Sequence, residues 1–430
     1  MRIKFTLIIF FYSLFFNAQI WIPVGIAGPT NRVVSMAVYN SELYAGGYFT
    51  NSDATRDLIK WNGTSWSTVG RTVSNNVYTQ AVYNSKLYCG GHETLSDPTG
   101  LATVSDWNGT TWSPLITGLD GFGTSNITAL TTFSNELYAG GMFNSVSGVS
   151  ANKIAKWNGS TWSAVGNGVN SNVYALIVFN NELYAAGNFT MAGTVNANFI
   201  AKWDGSNWSA LGTGLNSTAW SLAVYNNELY VGGNFSLAGG SPANKIAKWN
   251  GSTWSAVGTG MDNVVSALEV YSGNLYAGGQ FIIAGGTSAN RVAKWNGSNW
   301  SALGTGMNGT VSTLKVFNSE LYAGGYFTTA DISIANYVAK LNSSTQVSEN
   351  SIDYKFELFP NPTNDAVNLN LNEQFVGGNI QLFDAIGKLI QTQAIKNTTE
   401  KLNLDLNSGI YFIKATTKDG VSKTEKLIVE

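Results

Sequence analysis

From residue 173 the chain reads Val173-Tyr174-Ala175-Leu176-Ile177-Val178-Phe179, an apolar run with small residues interspersed, which predicts a strand over 173–179. The polar break Asn180-Asn181-Glu182 predicts a turn, and Leu183-Tyr184-Ala185-Ala186-Gly187-Asn188-Phe189 a second strand. A longer stretch rich in Ala, Gly and Asn follows, then Phe199-Ile200-Ala201-Lys202-Trp203 as a third strand. Asp204-Gly205 predicts a tight hairpin into a fourth, Trp208-Ser209-Ala210-Leu211. Asn-Gly or Asp-Gly between β-formers is expected to turn with both central residues at positive φ.

This four-strand phrase recurs. The tyrosine of its Leu-Tyr pair stands at Tyr44, Tyr88, Tyr138, Tyr184, Tyr230, Tyr276 and Tyr322, in steps of 44, 50 and then 46 four times. A four-stranded sheet repeated at such a period buries its faces against its neighbours, and the expected fold is an all-β, seven-bladed β-propeller. The last repeat has Tyr337-Val338-Ala339-Lys340 but no Trp-bearing strand after it. Trp21-Ile22-Pro23-Val24-Gly25 matches Trp66-Ser67-Thr68-Val69-Gly70. An N-terminal strand is therefore expected to complete the seventh blade, a velcro closure that leaves no open edge.

The repeats resemble Kelch repeats. The matching residues are Leu275-Tyr276-Ala277-Gly278-Gly279, Asn290-Arg291-Val292-Ala293-Lys294-Trp295, Trp300-Ser301-Ala302-Leu303 and Met307. The resemblance covers residues 20 to about 342 and departs at the third strand, where a Trp stands in place of the family's usual Tyr. It implies a Kelch-like propeller.

After Ser343 charged residues become frequent and Trp disappears. A linker is expected over 343–352 and a small antiparallel β-sandwich over 353–430. Leu358-Phe359-Pro360-Asn361-Pro362, Ile380-Gln381-Leu382-Phe383-Asp384, Gly387-Lys388-Leu389, Leu406-Asn407-Ser408-Gly409-Ile410-Tyr411-Phe412 and Lys426-Leu427-Ile428-Val429 follow in order. This segment resembles the C-terminal sorting domain of the type IX secretion system of Bacteroidota. The resemblance implies the type IX machinery as a partner, export, removal of the domain, and a place outside the cell or on its outer surface. At the other end, Arg2 and Lys4 precede an apolar run from Phe5 to Phe16, the layout of a signal peptide over 1–19. No other stretch is long and apolar enough for a membrane helix.

Composition narrows the partners. The 430 residues carry a formal net charge of −2 and 12% charged side chains, so no basic stripe is available to displace counterions from nucleic acid. The single cysteine, Cys89, excludes an intrachain disulfide and sits where other repeats have alanine, which reads as a small packed residue. Burying one Trp removes about 150–250 Å² from water, worth up to about 4–6 kcal/mol. The fourteen tryptophans therefore read as core, Trp220 excepted, because it alone lies outside the repeated strand positions.

Candidate binding residues are those that vary while their neighbours stay fixed. Ten residues before each Leu-Tyr tyrosine stand Val34, Tyr78, Thr128, Tyr174, Trp220, Ser266 and Ser312, at the start of each first strand. Tyr78, Tyr174 and Trp220 there suit stacking on a sugar or peptide, the bland alternative being packing between blades. A second varying set follows the Gly-Gly pairs: Tyr48, His92, Met142, Asn188, Asn234, Gln280 and Tyr326. Both sets are expected on one face, with His92, Asn188, Asn234 and Gln280 as polar contacts or simply as a solvated rim. The second repeat deviates, with His92-Glu93 for the usual pattern and acids at Asp97 and Asp106; a metal site of His92, Glu93 and Asp97 matches no familiar spacing.

The reading is a secreted or surface binding protein with a glycan or protein ligand on the long-loop face, no cofactor and no metal. The alternatives are a polysaccharide-acting enzyme with its site in the second repeat, and a passive structural surface protein.

Overall fold

The computed structural model describes residues 19–25, 28–49, 58–70, 76–92, 103–116, 119–120, 125–342, 356–418 and 422–430. The signal segment before residue 19 lies outside them, as does the whole of 343–355, including the linker expected over 343–352. The chain divides into two compact units, Met1–Ser343 and Ser344–Glu430.

Among the described residues the first unit carries seven four-stranded antiparallel sheets. In the fourth, Val173–Phe179, Glu182–Gly187, Ile200–Trp203 and Trp208–Ala210 lie side by side in chain order. The seventh takes Val311–Phe317, Glu320–Gly325 and Val338–Asn342 from the last repeat, and Ile20–Pro23 from the start of the chain. Trp21 lies opposite Leu341 in that pairing. First strands pack against first strands in order, and Val311–Phe317 packs against Val33–Tyr39, so the seven sheets close on themselves in a propeller-like arrangement.

The spacing of this ring rests on one contact at each sheet boundary. A Cβ on Gly46 would sit 2.6 Å from Val77 Cγ1 of the next sheet, and one on Gly278 would sit 2.5 Å from Val311 Cγ1. Gly324 meets Val33 in the same way at 2.7 Å, across the junction between last and first sheets. The first glycine of each pair thus makes room for a β-branched side chain. At one boundary the bulk is shared differently: Ala186 stands where glycine otherwise does, and buried Ala219 replaces the valine. The second glycine of each pair has a separate reason. A Cβ on Gly187 would lie 2.0 Å from the Asn172 carbonyl oxygen, an approach that no side chain survives.

Turn chemistry departs from the sequence expectation. The turns with two central residues at positive φ join first and second strands, as at Asn180 (48°) and Asn181 (58°). In the Asp-Gly and Asn-Gly hairpins only the glycine is left-handed, Gly205 at 103°. The preceding side chain bonds the turn instead: Asp204 Oδ1 accepts the backbone N–H groups of Ser206 and Asn207, both at 2.7 Å. This side-chain turn satisfies the loop without a second left-handed residue.

The hairpin tryptophans pair, with Trp203 and Trp208 rings 5.3 Å apart. Trp208 Nε1 donates to the Val165 carbonyl of the preceding sheet at 3.1 Å, and Trp66, Trp112, Trp254 and Trp300 repeat that bond. The long loop between second and third strands is tied down. It closes a short ribbon, Met191–Ala192 with Val195–Asn196, and Ala192 bridges to Val169. Gly193, Gly239 and Gly285 at the ribbon tips pack on the fourth-strand tryptophans. At that place in the seventh sheet stands Asp331, whose carboxylate accepts the N–H of Trp21 as well as those of Thr305 and Gly306. An acid therefore pins the N-terminal strand where the fourth, fifth and sixth sheets use a glycine.

The second unit has a three-stranded sheet, Phe356–Phe359, Ala366–Leu371 and Thr399–Asn403, and a four-stranded one, Leu389–Ala394, Asn379–Phe383, Gly409–Thr416 and Ser422–Val429. Val367, Leu369 and Leu402 from the first share a core with Ile380, Leu382, Ile413 and Leu427 from the second. The motif around Asn361 has a structural role: its Nδ2 donates to Lys426 O at 2.7 Å and its Oδ1 accepts from Ile428 N at 2.9 Å.

If the glycine–valine contact sets the ring, adding a methyl to one side should be offset by removing bulk from the other. Gly278→Ala alone is expected to cost about 1–3 kcal/mol of stability. Combining it with Val311→Ala, which recreates the Ala186–Ala219 solution, should lose less than the sum of the single variants by about 0.5–3 kcal/mol. Urea unfolding of the four proteins checks this, and strict additivity would refute it.

Candidate functional site

Each of the seven first strands slips register by one residue near its start, for example between Val173 and Ala175 and between Ala219 and Ser221. The same slip occurs in the other five. The residue skipped is in every case the varying one: Val34, Tyr78, Thr128, Tyr174, Trp220, Ser266 or Ser312. A β-bulge leaves its extra residue unpaired and re-aims that side chain. Small members close on the neighbouring sheet, as where Thr128 Oγ1 donates to the Val173 carbonyl. Two large members, Tyr174 and Trp220, reach each other.

Tyr174 and Trp220 stack with ring centres 4.2 Å apart and planes 20° from parallel. Trp220 is 40% exposed, while the other thirteen tryptophans are buried or half-buried. Asn172 Nδ2 donates to the Tyr174 hydroxyl at 3.2 Å, and Asn188 Oδ1 accepts from Thr218 Oγ1 at 3.1 Å. The Asn188 N–H donates to the Asn172 carbonyl. One group thus combines two rings with exposed amide and hydroxyl groups at the junction of the fourth and fifth sheets.

Tyr78 belongs to a second group. Its hydroxyl lies 3.1 Å from that of Tyr48, and the His92 ring meets it edge-on at 6.4 Å. Burial, first, and the hydrogen bond with Tyr48 hold the Tyr78 phenol well above its ordinary range, so it stays neutral. Tyr48 in turn carries the Arg32 guanidinium 3.6 Å over its ring centre, with Tyr326 4.8 Å from the same group. Sequence reasoning passed over Arg32. The signal was present: at the place two residues before each bulge, Arg32 is charged where Asn76, Asn126, Asn172, Thr218, Val264 and Thr310 are not.

Asn234 and Gln280 join neither group. Asn234 is exposed and its Oδ1 accepts from Lys245 Nζ at 3.1 Å. Gln280 is exposed, and its backbone N–H donates to the Val264 carbonyl. A depression of about 410 Å³ lined by Asn144, Lys153, Asn170 and Met191 includes none of the varying residues.

The second repeat owes part of its deviation to a charge reversal. In five other sheets a third-strand lysine pairs with a second-strand glutamate, as in Lys60–Glu42 at 2.8 Å and Lys248–Glu228 at 2.7 Å. Here Lys86 occupies the glutamate's place and Asp106 the lysine's, and the two pair at 2.9 Å. Asp106 is thereby committed to its lysine. Glu93 and Asp97, the other members of the metal reading with His92, lie outside the described residues. Cys89 is fully buried, and burial pushes its thiol up, so it packs as a neutral group.

Residues 357–430 match the family described as a secretion system C-terminal sorting domain. This domain addresses the chain by type IX secretion to the cell surface or the extracellular space. No helix among the described residues is long and apolar enough to cross a membrane. The curated proteins contain no match to the chain. Among solved structures it is similar to PorZ, an essential bacterial surface component of the type-IX secretion system of Porphyromonas gingivalis, with 14% identity and a TM-score of 0.47. That match covers 95% of this chain, which spans 61% of PorZ. It is also similar to BamB from Moraxella catarrhalis, with 13% identity, a TM-score of 0.32, and 72% of this chain and 82% of that one covered. A third match, YjhT, has 11% identity and a TM-score of 0.36 over 74% of this chain and 95% of that one.

If Lys86 and Asp106 are an exchanged structural pair, Lys86→Glu should destabilise by setting two acids together, and Lys86→Glu with Asp106→Lys should recover most of the loss. A coupling of about 0.5–3 kcal/mol is expected from a double-mutant cycle on thermal or urea unfolding. No coupling would return Asp106 to the list of acids in search of a role.

Proposed function

We propose that a chain addressed to the cell exterior by its sorting domain works there as a binding or adhesion module. Its N-terminal unit is a seven-bladed, Kelch-like propeller closed by the N-terminal strand. The ligand is a glycan or a surface protein held on the face where second strands end and first strands begin. The signal peptide over 1–19 and removal of the sorting domain after export belong to the same reading. It needs no cofactor.

One observation carries this reading: the stacked Tyr174–Trp220 pair with Trp220 40% exposed. An indole left at the surface forgoes part of the burial that the other tryptophans use, so a partner that covers it gains from that area. Asn188 and Thr218 beside the rings offer the acceptors and donors that orient hydroxyl groups. Two carboxylates flanking a bond are what hydrolysis of a glycoside requires. The pairing of Asp106 with Lys86 takes one candidate acid out of that role, which favours binding over catalysis.

The test is binding of the exported protein to a broad glycan array and to isolated cell-surface proteins. Tyr174→Ala with Trp220→Ala should weaken the interaction by about 10–100-fold, the loss of roughly 1.4–2.7 kcal/mol for the pair of rings together. The melting temperature should move by only a few degrees, since these side chains lie at bulges and not in the sheet cores. Undiminished affinity in the double variant would sink the reading, as would a folded protein that binds nothing in either assay.

A further inference from the structure

Across the junction between the seventh and first sheets the same face holds a cation in an aromatic cradle. Arg32 lies immediately before the first strand Val33–Tyr39, Tyr48 just past the second strand Glu42–Gly47, and Tyr326 just past Glu320–Gly325 of the seventh sheet. The guanidinium is 3.6 Å from the Tyr48 ring centre and 4.8 Å from that of Tyr326. Tyr48 extends the wall to Tyr78 through their hydroxyls at 3.1 Å. The backbone beneath is fixed: the Arg32 carbonyl accepts the Tyr48 N–H, and the missing side chain of Gly47 allows that approach.

The charge at this point is unbalanced. Five third-strand lysines, Lys60, Lys156, Lys202, Lys248 and Lys340, pair with glutamates, while Lys294 donates to the Gln19 amide oxygen. Among the described residues no carboxylate pairs with Arg32. A guanidinium beside aromatic faces presents several N–H donors in a planar fork that matches a carboxylate. The arrangement therefore offers a charged edge beside ring faces.

We propose that Arg32, with Tyr48, Tyr78 and Tyr326, is a subsite for the carboxylate of an acidic sugar, and that the preferred ligand is a uronic-acid-containing polysaccharide. The carboxylate sits on the guanidinium edge while the sugar ring lies against the tyrosine wall. A sugar polymer is favoured over an acidic peptide because a second stacked pair, Tyr174–Trp220, stands on the same face for another ring of the chain. The inference rests on the glycan form of the proposed function and adds the charge to it.

The test compares an oligogalacturonate with its fully methyl-esterified form, which keeps the rings and removes the charge. The exported protein should bind the free acid about 10-fold or more tighter than the ester, a ratio that falls as salt is raised toward about 1 M. Arg32→Gln should bring the ratio close to one, chiefly by weakening binding of the free acid. Tyr174→Ala with Trp220→Ala should weaken both ligands and keep the ratio. An equal affinity for acid and ester in the unmodified protein overturns the subsite, and so does a preference that survives Arg32→Gln. Should Arg32→Gln unfold, the salt dependence of the ratio in the unmodified protein decides instead, and a salt-independent ratio counts against the charge. Binding of oligoglutamate as tightly as oligogalacturonate overturns the sugar. Neutral glycan binding without acid preference removes this inference and leaves the proposed function standing, whereas binding to no glycan removes the glycan form of both.

Discussion

The approach of a glycine to a β-branched side chain at six of the seven sheet boundaries is the constraint on which the ring depends. A four-stranded sheet of this size cannot bury both faces alone, so its stability comes from its neighbours. The glycine lets the next first strand come close enough for its valine to fill the gap, from Gly46–Val77 to Gly324–Val33. Ala186 and Ala219 show that the boundary can also be filled by one methyl group from each side in place of a glycine and a valine. The seventh sheet adds a condition of its own, since one of its strands comes from the other end of the chain, and the Asp331 carboxylate holds that strand at Trp21.

A ring so tightly spaced leaves little freedom at its centre, and the bulges use what remains. By dropping one residue out of register at every first strand, the fold separates seven side chains from the packing that fixes their neighbours. Those seven can change without cost to the core, and in this chain they range from serine to tryptophan. Tyr174 and Trp220 are thereby brought face to face from different repeats. Arg32, Tyr48 and Tyr326 gather from the two repeats that meet at the closing junction. In both places a rigid scaffold supplies position and the variable residues supply chemistry.

Much of this was open to reading in one dimension. The period, the four strands of each repeat, the core tryptophans and the N-terminal match at Trp21 follow from local pattern, since each repeat states the same strand lengths and turns. The varying positions were also visible by comparing repeats, and they led to Tyr174 and Trp220. Other features needed partners far apart in the chain. Asp331 looks like an ordinary loop acid until Trp21 lies beside it, and Asp106 looks like a spare acid until Lys86 does. Asn234 and Gln280 occupy the expected rim yet join no cluster, because rim position says nothing of what a side chain meets. The left-handed pairs fall at Asn180-Asn181, and not at Asp204-Gly205, because a side chain that bonds the turn replaces the second left-handed residue.

The amino-acid order by itself determined the repeat, its strands, the sorting domain and the positions free to vary, because these depend on residue types within a few places of one another. Tertiary structure alone decided which free positions meet. Residues 46 apart in sequence, Tyr174 and Trp220, become stacking partners because adjacent sheets set their bulges side by side. Arg32 and Tyr326 come within cation–π distance because closing the ring places the last repeat against the first. Such proximity is a property of the closed circle, and no local stretch of sequence carries it.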